Sequence, residues 1–379
     1  MARYRGLTWD HPRGRLALER AAAATATDAA GERIIDWDAQ PLEGFEASPI
    51  DELAARYDVI VLDHPHLGDA IAAGALRPLD TLFPAEFRAG VALAAVGPSA
   101  ASYTLDGHLW ALPLDAATQV AVSVPELVPT APRTWAEVAD LATVAPVGLS
   151  LGGPHAFLTY ASLCVALGSE PSVVPGAGFV DPAVGEQALG MLAGIARTLP
   201  PRSAGLNPIG LFERMQRERD IAYIPLVYGY VTYASGPDAL RFDDAPGAGV
   251  ATRRGSTIGG TGIAVSSRCA PDAALLAHLA GLLDPESQRT RIPADAGQPS
   301  LRSAWTDDAV NAASGDFYRR TLATIEQAWV RPRVAGCIPF QGAASAVLRE
   351  AILDGRPGAV DHVNDLFDRL AAVPERSFT

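Results

Sequence analysis

Tyr57-Asp-Val-Ile-Val-Leu-Asp63 decides the fold. Four consecutive β-branched or aliphatic residues between aspartates read as a strand buried on both faces, and such strands belong to parallel sheets covered by helices. Upstream, residues 4–9 read as a strand, 13–30 as an alanine-rich helix, 32–37 as a second strand and 51–56 as a short helix. Downstream, residues 66–75 read as a helix that ends at Gly74. The order β-α-β-α-β-α predicts a parallel sheet with right-handed crossovers. Asp106-Gly107 between two short apolar runs predicts a β-hairpin over 103–113.

Past Pro113 the pattern restarts as a second α/β unit. Residues 134–142 read as a helix, with Thr134 and Glu137 placed for a capping box. A strand at 147–151, helices at 154–167, 182–198 and 207–217, and a strand at 221–226 follow. The glycine-rich stretch 255–262 leads into a strand at 263–266 and a helix at 271–283, and three further helices are expected at 309–329, 341–353 and 359–370. Single cores stop growing beyond roughly 250–300 residues, so the 379 residues predict two lobes. The expected division is 1–112 plus 262–305 for lobe 1 and 118–258 plus 306–379 for lobe 2, with the chain crossing near Pro113 and near Gly260.

Composition narrows the function. Apolar residues make up 49% and charged residues 19%, a globular profile. A net charge of -13 repels polyanions, which argues against nucleic acid and anionic lipid as partners. All thirty basic residues are arginine. Without lysine there is no Schiff base and no Walker A cation, so pyridoxal-phosphate enzymes and P-loop NTPases are excluded. Cys164, Cys269 and Cys337 are widely spaced and odd in number, which reads as packing rather than a zinc site or disulfide scaffold. No cofactor and no metal are expected. The start, Met1-Ala-Arg-Tyr-Arg-Gly-Leu-Thr-Trp9, lacks the basic and apolar regions of a secretory leader, and no apolar run spans a bilayer. The expectation is a cytoplasmic protein with no membrane insertion.

Two matching tripeptides are the candidate site. Asp10-His11-Pro12 follows the first strand and Asp63-His64-Pro65 follows the YDVIVL strand. The carboxyl ends of parallel strands face the ligand crevice, so His11 and His64 converge if those strands are neighbours. Ligand contact, a strand-ending turn, and metal or acid/base work are all readings of this signal. Imidazoles near their ordinary pKa gain charge as pH falls, so a carboxylate ligand would bind more tightly between about pH 7.5 and 6. Ser150-Leu-Gly-Gly-Pro-His155 places His155 at a helix start, where exposed N–H groups attract anions, or is a plain strand-to-helix turn. Trp9, Trp110, Tyr228 and Tyr230 sit at strand ends and crossings, suited to stacking on a planar ligand face as well as to packing. Of Arg13, Arg302, Arg331 and Arg333, Arg302 is the one singled out as a carboxylate clamp. No catalytic motif is present.

Six segments, in this order, resemble the extracellular solute-binding proteins of the carbohydrate type that feed ABC transporters: Tyr57–Asp63, Gly74-Ala-Leu-Arg-Pro-Leu-Asp80, Leu105-Asp-Gly-His-Leu-Trp-Ala-Leu-Pro113, Thr134-Trp-Ala-Glu-Val138, Gly260-Thr-Gly-Ile-Ala-Val-Ser266 and Gly297-Gln-Pro-Ser-Leu-Arg-Ser303. The resemblance spans nearly the whole chain and looks like a leaderless branch. It implies an α/β, two-lobed periplasmic-binding-protein type II fold that closes on a ligand, with hinges at Ala111–Pro113 and near Gly260–Gly262. By position it implies ligand contacts from Trp9, His11, His64, Asp115, Gln119, Tyr228 and Gly260. The implied function is capture of a small polar or anionic molecule in the interlobe cleft, with an ABC transporter permease as partner if the chain is exported. The rival reading is a cytoplasmic enzyme on the same fold, using cleft histidines on a small carboxylate or acyl substrate. A third, weaker reading is a ligand-gated regulatory partner.

Overall fold

The computed structural model describes residues 2–25 and 33–372. Nine strands are found among them: β1 (Tyr4–Trp9), β2 (Ile35–Gln40), β3 (Val59–Leu62), β4 (Thr104–Leu105), β5 (His108–Leu109), β6 (Leu112–Ser123), β7 (Tyr223–Tyr228), β8 (Arg241–Asp243) and β9 (Ile258–Val265). The helices that frame the site are α1 (Pro12–Ala24), α2 (Leu67–Ala72), α3 (Trp135–Leu141), α4 (His155–Ala166), α5 (Pro182–Ala196), α6 (Ala273–Leu282), α7 (Phe317–Glu326), α8 (Cys337–Asp354) and α9 (Ala359–Asp368).

The YDVIVL stretch forms β3, and all four of its residues are buried. The sheet runs β2-β1-β3-β9-β6-β7, with β8 also on β6. β1 pairs in parallel with β2 through Tyr4↔Ile35 to Trp9↔Gln40, and with β3 through Gly6↔Val59 and Leu7↔Ile60. The expected neighbourhood of the first and third strands is therefore present. Beyond β3 the sheet turns antiparallel, with β9 returning against it from Val59↔Val265 to Leu62↔Gly262.

β6 joins the two halves. Its twelve residues are all buried. The first half, Leu112 to Thr118, pairs with β9; the second pairs with β7 through Gln119–Ser123 and with β8 through Ala121–Ser123. One hydrophobic cluster surrounds the parallel strands and continues along β6 to Phe212, Phe242 and Phe317. A second packs α3, α4, α5, α8 and α9 around Phe157, Phe179, Phe340 and Phe367.

Local chemistry explains the boundaries. Pro12 opens α1 and the His11 ring accepts from Arg13 N, so the helix starts one residue earlier than expected; residues 26–30 of that expectation lie outside the described residues. Thr134 and Glu137 form the capping box of α3. Asp106 and Gly107, with φ of 53° and 80°, make the mirror-image turn that joins β4 to β5.

Three expectations are corrected. Residues 147–151 are not a strand: Val147 makes one bridge to Tyr223. The long helix at 309–329 is two, Asp308–Ala313 and α7, because Gly315 and Asp316 adopt φ of 59° and 61° between them. The glycines at 259–262 are not a loop before a strand but lie inside β9.

Candidate functional site

The second Asp-His-Pro tripeptide ends β3 by capping a short turn, His64–His66, where Asp63 Oδ1 accepts from His64 N at 2.8 Å. That turn points the Asp63 carboxylate and the His64 ring into the protein. Asp63 Oδ2 accepts from Arg331 Nη2 at 2.5 Å, and Arg331 Nη1 donates to Gln341 Oε1 at 3.1 Å. Arg331 comes from the connection between α7 and α8, and Gln341 from α8. His155, the first residue of α4, is buried and meets the Tyr228 ring edge-on at 6.0 Å. Its titration feels the Arg331 charge. Residues 63–64, 155, 228, 331 and 341 thus bring the ends of β3 and β7, the start of α4 and the flank of α8 to one place.

The electrostatics of this cluster are balanced. Burial would raise the Asp63 pKa, but the Arg331 guanidinium, helped by His64, holds it well below the usual carboxylate range. Burial, then Arg331, push His64 down to about 4, against the pull of Asp63. The same two influences push His155 down to about 4. At neutral pH the cluster therefore holds one anion, one cation and two uncharged imidazoles. His64 Nδ1 lies 3.1 Å from Asp63 Oδ1 without hydrogen-bond alignment, and His64 Nε2 and Arg331 Nε have no hydrogen-bond partner. An unsatisfied buried polar atom costs about 1–3 kcal/mol, so three in one cluster call for a reason beyond packing.

The first Asp-His-Pro has a different environment. The His11 ring stacks on Trp9 at 5.1 Å, meets Tyr230 edge-on at 5.2 Å and is pushed down to about 4 by burial, then by Arg13. Arg13 is buried and donates from Nε to Asp115 Oδ2 at 2.9 Å and from Nη1 to Gly229 O at 3.2 Å, with its guanidinium 4.8 Å from the Tyr230 ring centre. His11 has Trp9, Arg13 and Tyr230 as neighbours; His64 has Asp63, Tyr103 and Arg331. The buried Tyr103 meets the His64 ring edge-on at 6.2 Å, and its hydroxyl lies 3.3 Å from Leu62 O and 3.4 Å from Gly260 O.

The remaining expected site residues are spread more widely. Asp115 is engaged by Arg13 and by Gln298 N. The Gln119 side chain is buried between Thr159 and Ser162, donating at 3.4 Å and accepting at 2.6 Å. Gly260 contributes backbone: at φ of 94°, a Cβ there would stand 2.2 Å from Asp115 O. Arg302 is on the surface, paired with Glu326 at 2.6 Å. His66 Nε2 donates to Phe45 O at 3.2 Å. Gln341 carried no signal in the sequence, and Arg331 was one of four candidate arginines, with Arg302 preferred over it. A cavity of about 570 Å³ between α1 and α6 is lined by Ala21, Ala277 and His278 among others, and none of the cluster residues borders it.

No family model matches the chain, and no curated protein matches it in sequence. Solved structures do. The maltose-bound MalE3 of T. maritima superposes with a TM-score of 0.78 at 15% identity, over 98% of this chain and 99% of that one. The sugar-binding MalE of Xanthomonas citri gives 0.78 at 16%, over 98% and 97%. An ABC transporter solute-binding protein of Agrobacterium radiobacter K84 in complex with ribitol gives 0.78 at 17%, over 97% and 98%. Over nearly its whole length, the chain has the two-lobed α/β periplasmic-binding-protein fold of these solute-binding proteins.

Proposed function

We propose that this chain is a solute-binding protein of the ABC-transporter type that captures a small, uncharged, hydroxyl-rich molecule between its lobes. The observation that carries the reading is the charge-neutral cluster of Asp63, His64, His155 and Arg331. A carboxylate accepts from hydroxyls, a guanidinium donates to them, and a neutral imidazole does both. With the one guanidinium already paired to Asp63, an anionic ligand finds no unpaired cation in this cluster. Maltose and ribitol, bound to two of the structural neighbours, are of the hydroxyl-rich class.

In this reading lobe 1 comprises 1–112 plus 262–305 and lobe 2 comprises 118–258 plus 306–379, and closure is a hinge motion at the β6 and β9 crossings. Ligand contacts are drawn first from His64, His155, Tyr228 and Arg331, with Asp63 joining them. Trp9 and His11 line the neighbouring aromatic wall. Asp115 and Gln119 support the site through buried side-chain hydrogen bonds, and Gly260 through its backbone. Hydrolytic or proton-transfer chemistry is not favoured, because both cluster histidines are pushed down to about 4, which leaves them weak bases near neutral pH. Among the described residues no helix is long and apolar enough to cross a membrane. A permease partner belongs to this reading if the chain is exported. Fractionation of the native host tests that: mature protein outside the cytoplasmic membrane supports transport, and retention inside points to an intracellular receptor.

Calorimetric titration with maltose, ribitol and mannitol, set against gluconate and citrate, tests the ligand class. Heat of binding from the uncharged compounds, weakened in His155→Ala, supports it. Saturable binding of the acids alone overturns it.

A further inference from the structure

Tyr230, just past β7, has a hydrogen bond on each side of it. Gly229 O accepts from Arg13 Nη1 at 3.2 Å, and Val231 N donates to Gln298 Oε1 at 2.9 Å. Arg13 is the second residue of α1, and Gln298 lies in the connection between residues 295 and 301. Both hang on one carboxylate. Asp115 Oδ2 accepts from Arg13 Nε at 2.9 Å and from Gln298 N at 3.2 Å, and Asp115 Oδ1 accepts from Arg13 Nη2. Gln298 Nε2 also donates to Ala116 O at 3.0 Å. All three side chains are buried, so their polar groups are spent on one another and on residues 229–231. The guanidinium carbon lies 4.8 Å from the Tyr230 ring centre and 5.8 Å from that of Trp9. Tyr230 in turn meets His11 edge-on at 5.2 Å, and the His11 ring stacks on Trp9 and accepts at Nδ1 from Arg13 N at 3.1 Å.

We propose that Asp115, Arg13 and Gln298 form a bracket that sets Tyr230, and with it the His11 ring, as a wall for ligands that present a ring face. Arg13 and Gln298 are positioning residues that act through Tyr230. This rests on the cleft reading above. The bracket stands on β6 where that strand changes partner from β9 to β7, and there Gly229 N donates to Thr118 O at 3.2 Å. Atoms at a crossing move least when the parts on either side rotate, so the bracket serves at any angle between the lobes. It also requires arginine. A planar fork reaches two carboxylate oxygens and a carbonyl at once, whereas a lysine ammonium keeps the charge without that geometry.

Arg13→Lys is the first test variant. Arg13→Met combined with Asp115→Asn is the second, since it leaves no buried charge without its partner. Proton NMR of the histidine rings is the first readout. The His11 protons lie within the ring currents of Trp9 and Tyr230 and are assigned by their loss in His11→Gln. They should shift in both variants, while those of His362 stay. Unmoved His11 signals overturn the bracket. Calorimetric titration with maltose and with ribitol is the second readout. Arg13→Lys should weaken maltose about fivefold, the order of one aromatic contact, and ribitol, which has no ring, by less. Equal losses for the two overturn the ring selectivity. In a Tyr230→Leu background the same substitution should weaken maltose no further; additive losses overturn the action through Tyr230. Failure of the wild type to bind either probe counts against the cleft reading, while the His11 signals still decide the bracket.

Discussion

Burial takes His64 and His155 out of the ordinary imidazole range. Their folded pKa values, about 4 for each, lie below the unfolded value near 6.5. The unfolded chain therefore binds protons that the folded chain refuses, and stability falls as pH drops from about 6.5 to about 4. The conversion of 1.36 kcal/mol per pKa unit puts the loss at about 3 kcal/mol per histidine. Urea denaturation at several pH values should show that slope, and His64→Gln should flatten it; an unchanged slope contradicts the assignment. The same displacement revises the sequence expectation for binding. Affinity for an uncharged ligand should stay level between pH 7.5 and 6, because neither ring titrates there; a rise in calorimetric affinity over that interval contradicts the neutral cluster.

Arg331 makes a second prediction at this scale. Removing one partner of a buried pair leaves the other charge uncompensated, which costs about 3–5 kcal/mol. Arg331→Met should therefore destabilise the chain by that order in urea denaturation, and Asp63→Asn combined with it should recover part of the loss. A near-neutral single substitution means that Asp63 finds another partner. Sequence patterns placed the Asp-His-Pro signals at the right strand ends, because proline and aspartate act locally. They could not rank the arginines, since a guanidinium reaches its partner across 268 residues of chain and its spacing leaves no periodic trace. Arg302, the arginine singled out as a carboxylate clamp, has the exposed Glu326 as its partner.

The strands show which patterns were legible. β3 was plain because every residue is apolar and buried on both sides. β6 was not, although it is the longest described strand. Pro113, Asp115, Thr118 and Gln119 break its apolar pattern, and a proline inside a run argues against a central strand. Tertiary partners override that: Asp115 is answered by Arg13, Gln119 by Thr159 and Ser162, and Thr118 Oγ1 by Thr257 O at 3.1 Å. The glycines of β9 misled in the other direction. They serve close approach, with Tyr228 over Gly259 and Tyr103 over Gly262, rather than looseness. Gly260→Ala should lose about 1–3 kcal/mol from the left-handed φ alone, and more from the clash with Asp115 O. Thermal unfolding at wild-type temperature would show that the crossing tolerates a side chain.

At the scale of the whole molecule, the two-lobed fold follows from length, the β-α-β order and the restart past Pro113, all visible in the sequence. Which residues gather around Asp63 and His64 was not visible, because it depends on the returns of β9 and of segment 331–336 to strands written two hundred residues earlier. The most direct measurement is to incubate the chain with a mixture of sugars, polyols and small carboxylates and identify by mass spectrometry what it retains after desalting. If the balanced ion pair and two neutral imidazoles are the binding site, as proposed, the chain should retain uncharged, hydroxyl-rich molecules, and His155→Ala should retain less of them. Retention of carboxylates alone, or of nothing from the mixture, would contradict it.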